Sequence, residues 1–389
     1  MKILHIISSR GWGGAENSGA YLAKKQIESG YAAFFFIHSL NRKEKNILKE
    51  NGVPYFSIFD PERKNIFAIK KIINICKKEH IDIIHTHLAT ANYLGVVAGN
   101  YLNIPVVSTI DIFSGFPYYA LADNLCFVSN AVKEYFLKYF SSKDYQSYKP
   151  SFIEKAVNAA FKLNYKILDY KEISNKLDIA YTRVNESRFI GFKDRLKELE
   201  KFFNIGITGR VTEQKGQFYF IEAADLLLKS AKELKIKKPL MFHIVGNGKD
   251  EKKLKKIVEK IGIARNFKFW GYQSDVRIFV NTFDIAVSCS LNEPFGINNI
   301  EYMFMKKPCV ATTSGGIPEV FGNTNMLITP QNSEKLKEAL KTYINNPALM
   351  ASEAERGYNR ASELFKAEVS VAKIMDIYNK LILQKRLLQ

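Results

Sequence analysis

The stretch "IAVSCSLNEPFGINNIE" (285–301) runs from a predicted strand through a loop into a predicted helix. The apolar run at 285–290 is typical of a buried strand, and the Pro-Phe-Gly break after it should begin a helix near residues 296–298. Glu293 would then lie at the loop tip and Glu301 about two helical turns further on, roughly 10 Å away by helical rise. If no ligand binds here, Glu293 is simply a charge at the start of a helix, and Glu301 is a solvated or paired residue.

The same alternation of strand and helix extends in both directions along the 389 residues, which is the pattern of parallel βαβ units. The predicted strands are 2–8, 32–38, 81–87, 104–110 and 125–129 in the first half, and 203–208, 240–246, 267–271, 285–290, 307–312 and 325–329 in the second. A polar, strand-poor stretch at 165–200 separates the two sets. The sequence therefore predicts an α/β protein with two Rossmann-like domains that face each other across a cleft.

Composition narrows the class of protein. The chain is 47% hydrophobic and 25% charged, which is typical of a globular protein. Its longest apolar runs are far shorter than the roughly 20 residues that span a bilayer, and its first residues do not resemble a secretory signal. The four cysteines are scattered without CxxC pairing, so we expect reduced thiols, no zinc site and a cytoplasmic location.

The net charge is +18, from 57 basic and 39 acidic residues. Such an excess indicates anionic partners: nucleic acid, acidic lipid headgroups or phosphorylated small molecules. A codon bias toward lysine would give the same excess, so charge alone leaves these alternatives open.

Ligands of parallel sheets lie outside the carboxyl ends of the strands, and in the first half three loops there carry polar or glycine residues. Gly13 and Gly14 in "RGWGGAEN" (10–17) let the backbone approach a ligand, before a helix whose N–H groups would face an anion. His87 ends the third predicted strand and Asp111 follows the fourth. Together they could hold or deprotonate a sugar hydroxyl, although each alone is an ordinary polar residue.

In the second half, "GITGRVTEQKG" (206–216) places Arg210 and Lys215 after a strand. A guanidinium and an ammonium group suit a diphosphate, although a solvated loop would contain the same residue types. The spacing is not that of a P-loop, and "VGNGKD" (245–250) repeats the strand–glycine–helix turn. With Glu293 on a sugar and Glu301 on a ribose, these loops predict a sugar-nucleotide site.

The chain resembles the retaining glycosyltransferases of family 4, which have the GT-B fold and build bacterial cell-surface polysaccharide and lipopolysaccharide. The resemblance runs nearly end to end and is strongest over 203–320. It is carried by "GGAE" (13–16), "HTH" (85–87), "CFVSNAVKEYF" (126–136), "GRVTEQKG" (209–216), "VGNG" (245–248), "FWGYQSDV" (269–276), "SLNEPFGINNIEYM" (290–303) and "ATTSGGIPEV" (311–320). The E-x7-E element followed by GG-x-x-E is the specific part.

The resemblance implies a role for each domain and for each matching residue. Residues 1–180, joined by a C-terminal helix at 367–389, would bind the acceptor, and 181–366 would bind the donor. The implied catalytic residues are Arg210 and Lys215 on the leaving diphosphate, Glu293 on the donor sugar, and His87 and Asp111 on the acceptor side. The implied donor-binding residues are Gly13, Gly14, Gly209, Gly246, Trp270, Gly271, Phe295 and Gly296, with Glu301 on the ribose.

The implied reaction moves a hexose-type sugar, with retention, from a nucleotide-diphosphate sugar to a lipid-linked or glycan acceptor. UDP is expected rather than GDP, and neither a metal nor a cofactor is expected. Two alternatives remain: another GT-B sugar-nucleotide enzyme, such as an epimerase, and a catalytically silent homologue. A nucleic-acid-binding protein would also be basic, but no helix-turn-helix, RNA-binding or zinc pattern occurs, so no nucleic-acid partner is expected.

Three positions depart from the family pattern. Asp111 stands where the family usually has a histidine, which bears on the acceptor side. Tyr302 replaces the alanine usual after the second glutamate and is expected to narrow the adjoining pocket. Met326 replaces a common glycine.

Residues 131–166 contain seven lysines and three acidic residues. Interleaved with them are Tyr135, Phe136, Tyr139, Phe140, Tyr145 and Tyr148. Lysines and aromatic rings together suit an anionic membrane surface, so this segment predicts peripheral docking on the inner leaflet. Solvated helices with a few core aromatics are the alternative.

Overall fold

The computed structural model of the protein describes residues 1–9, 13–59, 61, 65–182 and 184–387, without the Glu44 side chain. Residues 10–12 of the predicted glycine loop are outside this range. The chain divides into two compact units, Met1–Val184 with Ala367–Gln389 (unit 1) and Asn185–Lys366 (unit 2). Among the described helices, none combines the length and the apolar character needed to cross a bilayer.

Unit 1 is built on a seven-stranded parallel sheet in the order β3-β2-β1-β4-β5-β6-β7. Its strands are β1 (Lys2–Ile7), β2 (Ala32–His38), β3 (Tyr55–Ile58), β4 (Ile83–His87), β5 (Val106–Ile110), β6 (Asn124–Phe127) and β7 (Leu177–Ile179). Its helices are α1 (Gly14–Glu28), α2 (Arg42–Glu50), α3 (Ile66–Glu79), α4 (Ala89–Leu102), α5 (Asn130–Phe140), α6 (Lys143–Gln146), α7 (Phe152–Ala160), α8 (Tyr170–Ser174) and α16 (Ala367–Leu387).

Unit 2 is built on a six-stranded parallel sheet in the order β10-β9-β8-β11-β12-β13. Its strands are β8 (Phe203–Thr208), β9 (Leu240–Val245), β10 (Phe267–Phe269), β11 (Ile285–Ser288), β12 (Cys309–Thr312) and β13 (Met326–Ile328). Its helices are α9 (Gln217–Lys229), α10 (Glu251–Lys260), α11 (Arg277–Thr282), α12 (Ile297–Phe304), α13 (Ile317–Phe321), α14 (Ser333–Asn345) and α15 (Pro347–Leu364).

Both sheets have the strand order of a Rossmann-like doubly wound sheet. The order reverses between β1 and β4 in unit 1 and between β8 and β11 in unit 2. Ligands of such sheets bind in the crevice that opens at this switch point, at the carboxyl ends of the strands. In unit 2 the two loops that flank it are 209–216 and 289–296, which contain Arg210, Lys215 and Glu293.

Helix α16 belongs to unit 1 although it follows unit 2 in the chain. Its buried face, which includes Val371, Ile374 and Tyr378, packs in one apolar cluster with Ile3 and Ile83 of the sheet. The predicted return of the C-terminal helix to the first domain is therefore confirmed.

Strands β3 and β7 are absent from the sequence prediction. Both lie at the edges of the unit 1 sheet and are only four and three residues long, with half-buried side chains throughout. Strands so short and only half-buried lack a clear alternation of apolar and polar residues in the sequence. β7 also lies inside the stretch 165–200, which the sequence analysis described as poor in strands.

The membrane surface predicted in 131–166 loses half of its rings to the core. Phe136, Phe140 and Tyr145 are buried and pack against one another, with ring centroids 4.2 Å and 4.0 Å apart for Phe136–Phe140 and Phe140–Tyr145. They hold α5 and α6 together and are not available to a membrane.

Candidate functional site

The loops after β8 and β11 are bonded to each other. The Leu291 N–H donates to the Gln214 carbonyl (2.8 Å), and the Gln214 side chain donates to the Asn292 carbonyl (3.1 Å). Beside this contact lies a cavity of about 380 Å³. The residues that line it are Arg210, Thr212, Glu213, Gln214, Lys249 and Leu291. A cavity with two cations therefore lies at the switch point of the unit 2 sheet.

Arg210 is exposed at this cavity, and within the described ranges it forms no ion pair. Its backbone is fixed, because the Gln217 side chain donates to the Arg210 carbonyl at 2.8 Å. A fixed backbone with an uncommitted guanidinium group is suited to receive an anion, since little has to be rearranged and no existing ion pair is lost.

Lys215 and Glu293 are bound to each other. The Lys215 Nζ lies 2.5 Å from Glu293 Oε2, and Ser290 Oγ donates to the same oxygen at 3.0 Å. The Glu293 residue is only 8% exposed. The two charges predicted to contact a diphosphate and a sugar separately are therefore neutralised by one another in this structure.

Two glycines make this arrangement sterically feasible. Gly216 has φ +67°, and a Cβ there would lie 1.9 Å from the Cys289 carbonyl oxygen, so only glycine lets the β8 loop approach the end of β11. Gly296, with φ +95°, is the N-cap residue of α12, and the ring of the preceding residue, Phe295, is buried against Phe365. The backbone N–H groups of the first turn of α12 come directly after Gly296 in the chain.

The remaining predicted glycine turns lie along the same sheet edge. The Gly209 N–H donates to the Val245 carbonyl at 2.9 Å, and the Gly246 N–H donates to the Gly271 carbonyl at 2.8 Å. The turns after β8, β9 and β10 are thus joined in series, and their glycines adopt positive φ.

Trp270 is held by its side chain. Its indole N–H donates to His243 Nδ1 at 3.2 Å, and His243 Nε2 donates to Asn204 Oδ1 at 2.9 Å. Burial, and to a smaller extent the nearby charge of Lys268, lowers the pKa of His243 to about 3. A neutral histidine with both nitrogens occupied fixes the indole, and so the turn at Trp270 and Gly271 has a rigid support.

Glu301 is partly buried on α12, five residues after Gly296. Burial raises the pKa of its carboxyl group to about 7; the charge of Arg188 opposes this increase and that of Asp275 adds to it. Arg277 binds Asp275 through Nε and Nη2 and donates to the Arg188 carbonyl at 2.9 Å, which fixes the charges around Glu301. Sequence analysis identified Glu301 but not these three residues.

Tyr302 connects α12 to the end of β8, and its predicted narrowing of a pocket stays a prediction. It is fully buried, and its hydroxyl accepts from the Thr208 N–H at 2.8 Å and lies 2.7 Å from Thr208 Oγ1. Asn298, also on α12, donates to the Thr208 carbonyl at 3.3 Å. Helix α12, which carries Glu301, is thereby tied to the strand end that precedes Arg210.

Sequence analysis did not single out Asn299, whose buried amide group is unusual. It lies in the first turn of α12 with no exposed surface, and neither Oδ1 nor Nδ2 has a hydrogen-bond partner among the described residues. Buried amides without partners are rare and call for an explanation. A ligand-induced shift of the first turn of α12 would supply one.

The glycine loop of unit 1 ends at the start of α1, where Gly13 caps the helix and Gly14 begins it. The Glu16 carboxylate accepts from the Gly13 N–H at 2.8 Å and from Ser9 Oγ at 2.5 Å. A carboxylate of the chain itself thus occupies the first turn of α1, where an anionic ligand was predicted.

His87 lies at the carboxyl end of β4, but its imidazole is buried, with 2% of the residue exposed. His87 Nε2 lies 3.2 Å from His5 Nδ1, and His5 Nε2 lies 2.8 Å from Gln26 Oε1. His85 bonds Tyr378 of α16 and Thr109. The strand-end position was predicted, but the side chain points into the core of unit 1, and its catalytic role stays a prediction.

His5, His85 and His87 are also the described residues best placed to hold a metal, since one nitrogen from each lies within 4.8 Å of the others. Hydrogen bonds already occupy both nitrogens of His5 and of His85. The cluster therefore has the character of a hydrogen-bonded core network.

Asp111 directly follows β5 and is partly buried at the carboxyl edge of the unit 1 sheet. Its charge, together with burial, raises the pKa of the neighbouring Tyr119 hydroxyl, burial being the larger cause. His87 ends β4 and Asp111 follows the adjacent strand β5, but Asp111 lies at the carboxyl edge of the sheet, whereas the His87 ring is in the core.

Two domain families match the chain. "Glycosyltransferase Family 4" matches residues 12–145, and "Glycosyl transferases group 1" matches residues 191–360. Together the two matches span most of both units. The chain is a glycosyltransferase, with a family 4 domain in its N-terminal half and a group 1 domain in its C-terminal half.

Relatives of this glycosyltransferase agree with the assignment. An uncharacterized glycosyltransferase of Methanocaldococcus jannaschii is 27% identical over 87% of this chain and 86% of its own length. The lipopolysaccharide core biosynthesis mannosyltransferase LpcC of Rhizobium leguminosarum bv. viciae is 28% identical over 46% of this chain and 51% of its own.

The crystal structure of Anabaena HepE in complex with UDP shares the fold of this glycosyltransferase, with a TM-score of 0.78 and 19% identity over 98% of this chain and 100% of that one. Together with the two Rossmann-like sheets, this likeness shows that the fold is GT-B, as the sequence predicted.

Replacing Glu293 by glutamine should destabilise unit 2 of the glycosyltransferase by about 1–3 kcal/mol, because Lys215 loses its partner in a partly buried position. The double variant Glu293→Gln/Lys215→Met should recover part of that loss, since no unpaired charge remains. Urea unfolding of the three proteins measures this. Equal stability of the single variant and the wild type would show that the ion pair contributes nothing.

Replacing Tyr302 by phenylalanine should cost about 1–3 kcal/mol, because the buried Thr208 N–H loses its acceptor. Tyr165→Phe is the control, since the Tyr165 hydroxyl is buried but has no hydrogen-bond partner among the described residues. Thermal unfolding should show a larger loss for Tyr302→Phe. A larger loss for Tyr165→Phe would contradict the assigned role of the Tyr302 hydroxyl.

Proposed function

We propose that the protein transfers a hexose-type sugar, with retention of anomeric configuration, from a UDP-sugar to a lipid-linked or glycan acceptor in bacterial envelope polysaccharide synthesis. The observation that carries the proposal is Arg210, an exposed guanidinium group without an ion-pair partner in the described part of the chain, at a cavity on the switch point of unit 2. A leaving diphosphate is an anion of suitable geometry for it.

The named relatives support the substrate class. LpcC is described as a mannosyltransferase of lipopolysaccharide core biosynthesis, and HepE was crystallised with UDP. We infer from them a nucleotide-diphosphate sugar as donor and a cell-envelope glycan or its lipid carrier as acceptor. Transfer would then take place at the cytoplasmic face of the membrane.

The Lys215–Glu293 pair supports a specific sequence of events. When the donor diphosphate enters, its charge competes with Glu293 for the Lys215 ammonium group. Lys215 then turns to the diphosphate, and Glu293 is released to accept a hydrogen bond from a hydroxyl of the donor sugar. Donor binding would thus exchange one ion pair for two substrate contacts, so that neither charge is ever buried alone.

The transfer step requires little covalent chemistry from the protein. The bond between the anomeric carbon and the diphosphate oxygen breaks, and the acceptor oxygen bonds the same carbon on the same face. The acceptor proton passes to the leaving phosphate oxygen. Arg210 and Lys215 lower the barrier because they neutralise the negative charge that develops on the diphosphate. We expect these two cations to serve in place of a metal ion.

The acceptor side rests on Asp111 rather than on His87. Asp111 is at the carboxyl edge of its sheet, where it can accept a hydrogen bond from an acceptor hydroxyl, whereas the His87 ring is buried in the His5 and His85 network. His87 would then act on the site through the core of unit 1.

The test is a donor screen followed by a transfer assay. UDP- and GDP-sugars are compared for their effect on the unfolding temperature, and the best donor is then labelled and incubated with the protein and a bacterial membrane extract. Stabilisation by a UDP-sugar and transfer of label with an unchanged anomeric configuration support the proposal. Stabilisation without transfer would favour a silent homologue, and a changed sugar released as UDP-sugar would favour an epimerase.

A further inference from the structure

Helix α3 of unit 1 has an exposed basic face that the proposed reaction does not use. Its other face, which includes Ala68, Ile69, Ile72 and Ile73, is buried in the unit. The exposed positions of the helix carry four lysines, Lys70, Lys71, Lys77 and Lys78. A helix with one apolar buried face normally exposes mixed charges, whereas this one exposes positive charge along most of its length.

Large apolar side chains are exposed at the start of α3 and directly after β3. Phe67 is 77% exposed in the first turn of α3, Ile66 beside it is 39% exposed, and Phe59, directly after β3, is 66% exposed. Lys71 Nζ donates to the Ser57 carbonyl at 2.7 Å, which holds the start of α3 against the end of β3. We call Phe59, Ile66, Phe67 and the four lysines the α3 surface.

The charges of the lysines on this surface are not neutralised by ion pairs within the described parts of the chain. In the parts of the chain that the structure describes, Lys70, Lys77 and Lys78 form no ion pair, and Lys71 bonds only a carbonyl. The partner should therefore be anionic.

The combination of rings and lysines identifies the kind of partner. Exposed clusters of large apolar side chains mark surfaces that something covers. A helix that lies in a membrane interface places apolar residues among the acyl chains and lysines at the headgroups, with the lysine stems on the apolar side. Each lysine near an anionic leaflet strengthens such binding about fivefold.

We propose that the α3 surface docks the protein on a membrane that contains anionic lipid. The proposal rests on the proposed function, in which the acceptor is carried by a lipid, and it gives that acceptor a route to unit 1. It also moves the docking site away from residues 131–166, where Phe136, Phe140 and Tyr145 are buried.

The test is co-sedimentation of the full chain with vesicles of phosphatidylcholine alone or mixed with phosphatidylglycerol. The wild type should bind the mixed vesicles, and added salt should weaken the binding. Phe67→Ser should lower the partition coefficient about tenfold or more, because an inserted ring is lost. Lys70→Gln/Lys77→Gln should lower it by a similar factor.

Matched controls make the same chemical changes elsewhere. Phe152 begins α7 and is 85% exposed next to Lys155, so Phe152→Ser removes an equally exposed ring from the same unit. Lys252→Gln/Lys256→Gln removes two exposed lysines from α10 of unit 2. All variants change exposed side chains, and their unfolding temperatures should match that of the wild type. The controls should retain vesicle binding.

Three results would overturn the proposal: no binding of the wild type to mixed vesicles, equal losses for Phe67→Ser and Phe152→Ser, or loss of oligonucleotide binding rather than vesicle binding in the α3 variants. The last would make the surface a nucleic-acid site, in which the rings stack on bases. Vesicle binding does not depend on sugar transfer, so a failed transfer assay and a failed docking assay are distinguishable.

Discussion

Arg210→Ala is expected to lower kcat of sugar transfer by about a hundredfold to a thousandfold, with a much smaller change in KM for the donor. The guanidinium group lines the cavity at the switch point of unit 2, and its backbone is fixed by Gln217. A preorganised cation of this kind interacts most strongly where charge develops, on the leaving diphosphate. The loss should therefore fall on the chemical step and not on binding.

Two further variants test this prediction for Arg210. Arg210→Lys keeps the charge but not the forked geometry, so it should recover only part of kcat. Arg265→Ala removes an exposed arginine that precedes β10, at the amino edge of the sheet and away from the cavity, and it should leave kcat unchanged. Steady-state kinetics with the preferred UDP-sugar measure all three. Full activity of Arg210→Ala would remove the residue from the site.

Glu301→Gln is expected to weaken UDP binding about tenfold or more at pH 8, since a hydrogen bond from ribose to a charged acceptor is replaced by one to a neutral amide. Burial raises the pKa of the wild-type carboxyl group to about 7. Affinity in the wild type should therefore fall as pH decreases below 7, where the carboxyl group is protonated. The affinity of the glutamine variant for UDP should not show this decrease, because its amide group does not titrate.

The free energy of unfolding should depend on pH in the direction opposite to UDP affinity: it should decrease as pH increases. The carboxyl pKa is about 7 in the folded protein and 4.5 in the ordinary case, so the folded form binds the extra proton between these values. The stabilising effect of that proton is complete below pH 4.5 and is lost as pH increases through 7. In Glu301→Gln the free energy of unfolding should lack this decrease.

Calorimetry of UDP binding and urea unfolding, both from pH 5 to 8, measure the two effects. The terminal phosphate of UDP also titrates near pH 6, so the difference between wild type and variant is the relevant quantity. Parallel pH profiles for the two proteins would show that Glu301 does not contact the nucleotide.

The sequence predicted the central strands of both sheets because these strands are continuous apolar runs, buried on both faces. It also located the loops of unit 2, since glycines with positive φ and the break before Gly296 are local signals. It missed β3 and β7, which are short edges stabilised mainly by the neighbour with which each pairs. Such pairing has no signature within four residues.

The direction in which a side chain points was the second feature that could not be predicted from the sequence. The rule that ligands lie at strand ends identified His87 correctly as a strand-end residue, but it does not say which side of the sheet the imidazole faces. The partners His5 and Gln26 are far away in the chain. The role of Tyr302 was hidden for the same reason, because its partner Thr208 is 94 positions earlier.

The position of α16 has a consequence for synthesis on the ribosome. Val371, Ile374 and Tyr378 cover Ile3, Ile83 and Val107, yet they are translated only after all of unit 2. The N-terminal half must therefore leave the exit tunnel with an open apolar face and wait for almost two hundred further residues, at about 5–20 residues per second. Unit 2, which is contiguous, can complete its own folding during that time. We therefore expect the nascent N-terminal half to expose this apolar face until α16 has been translated.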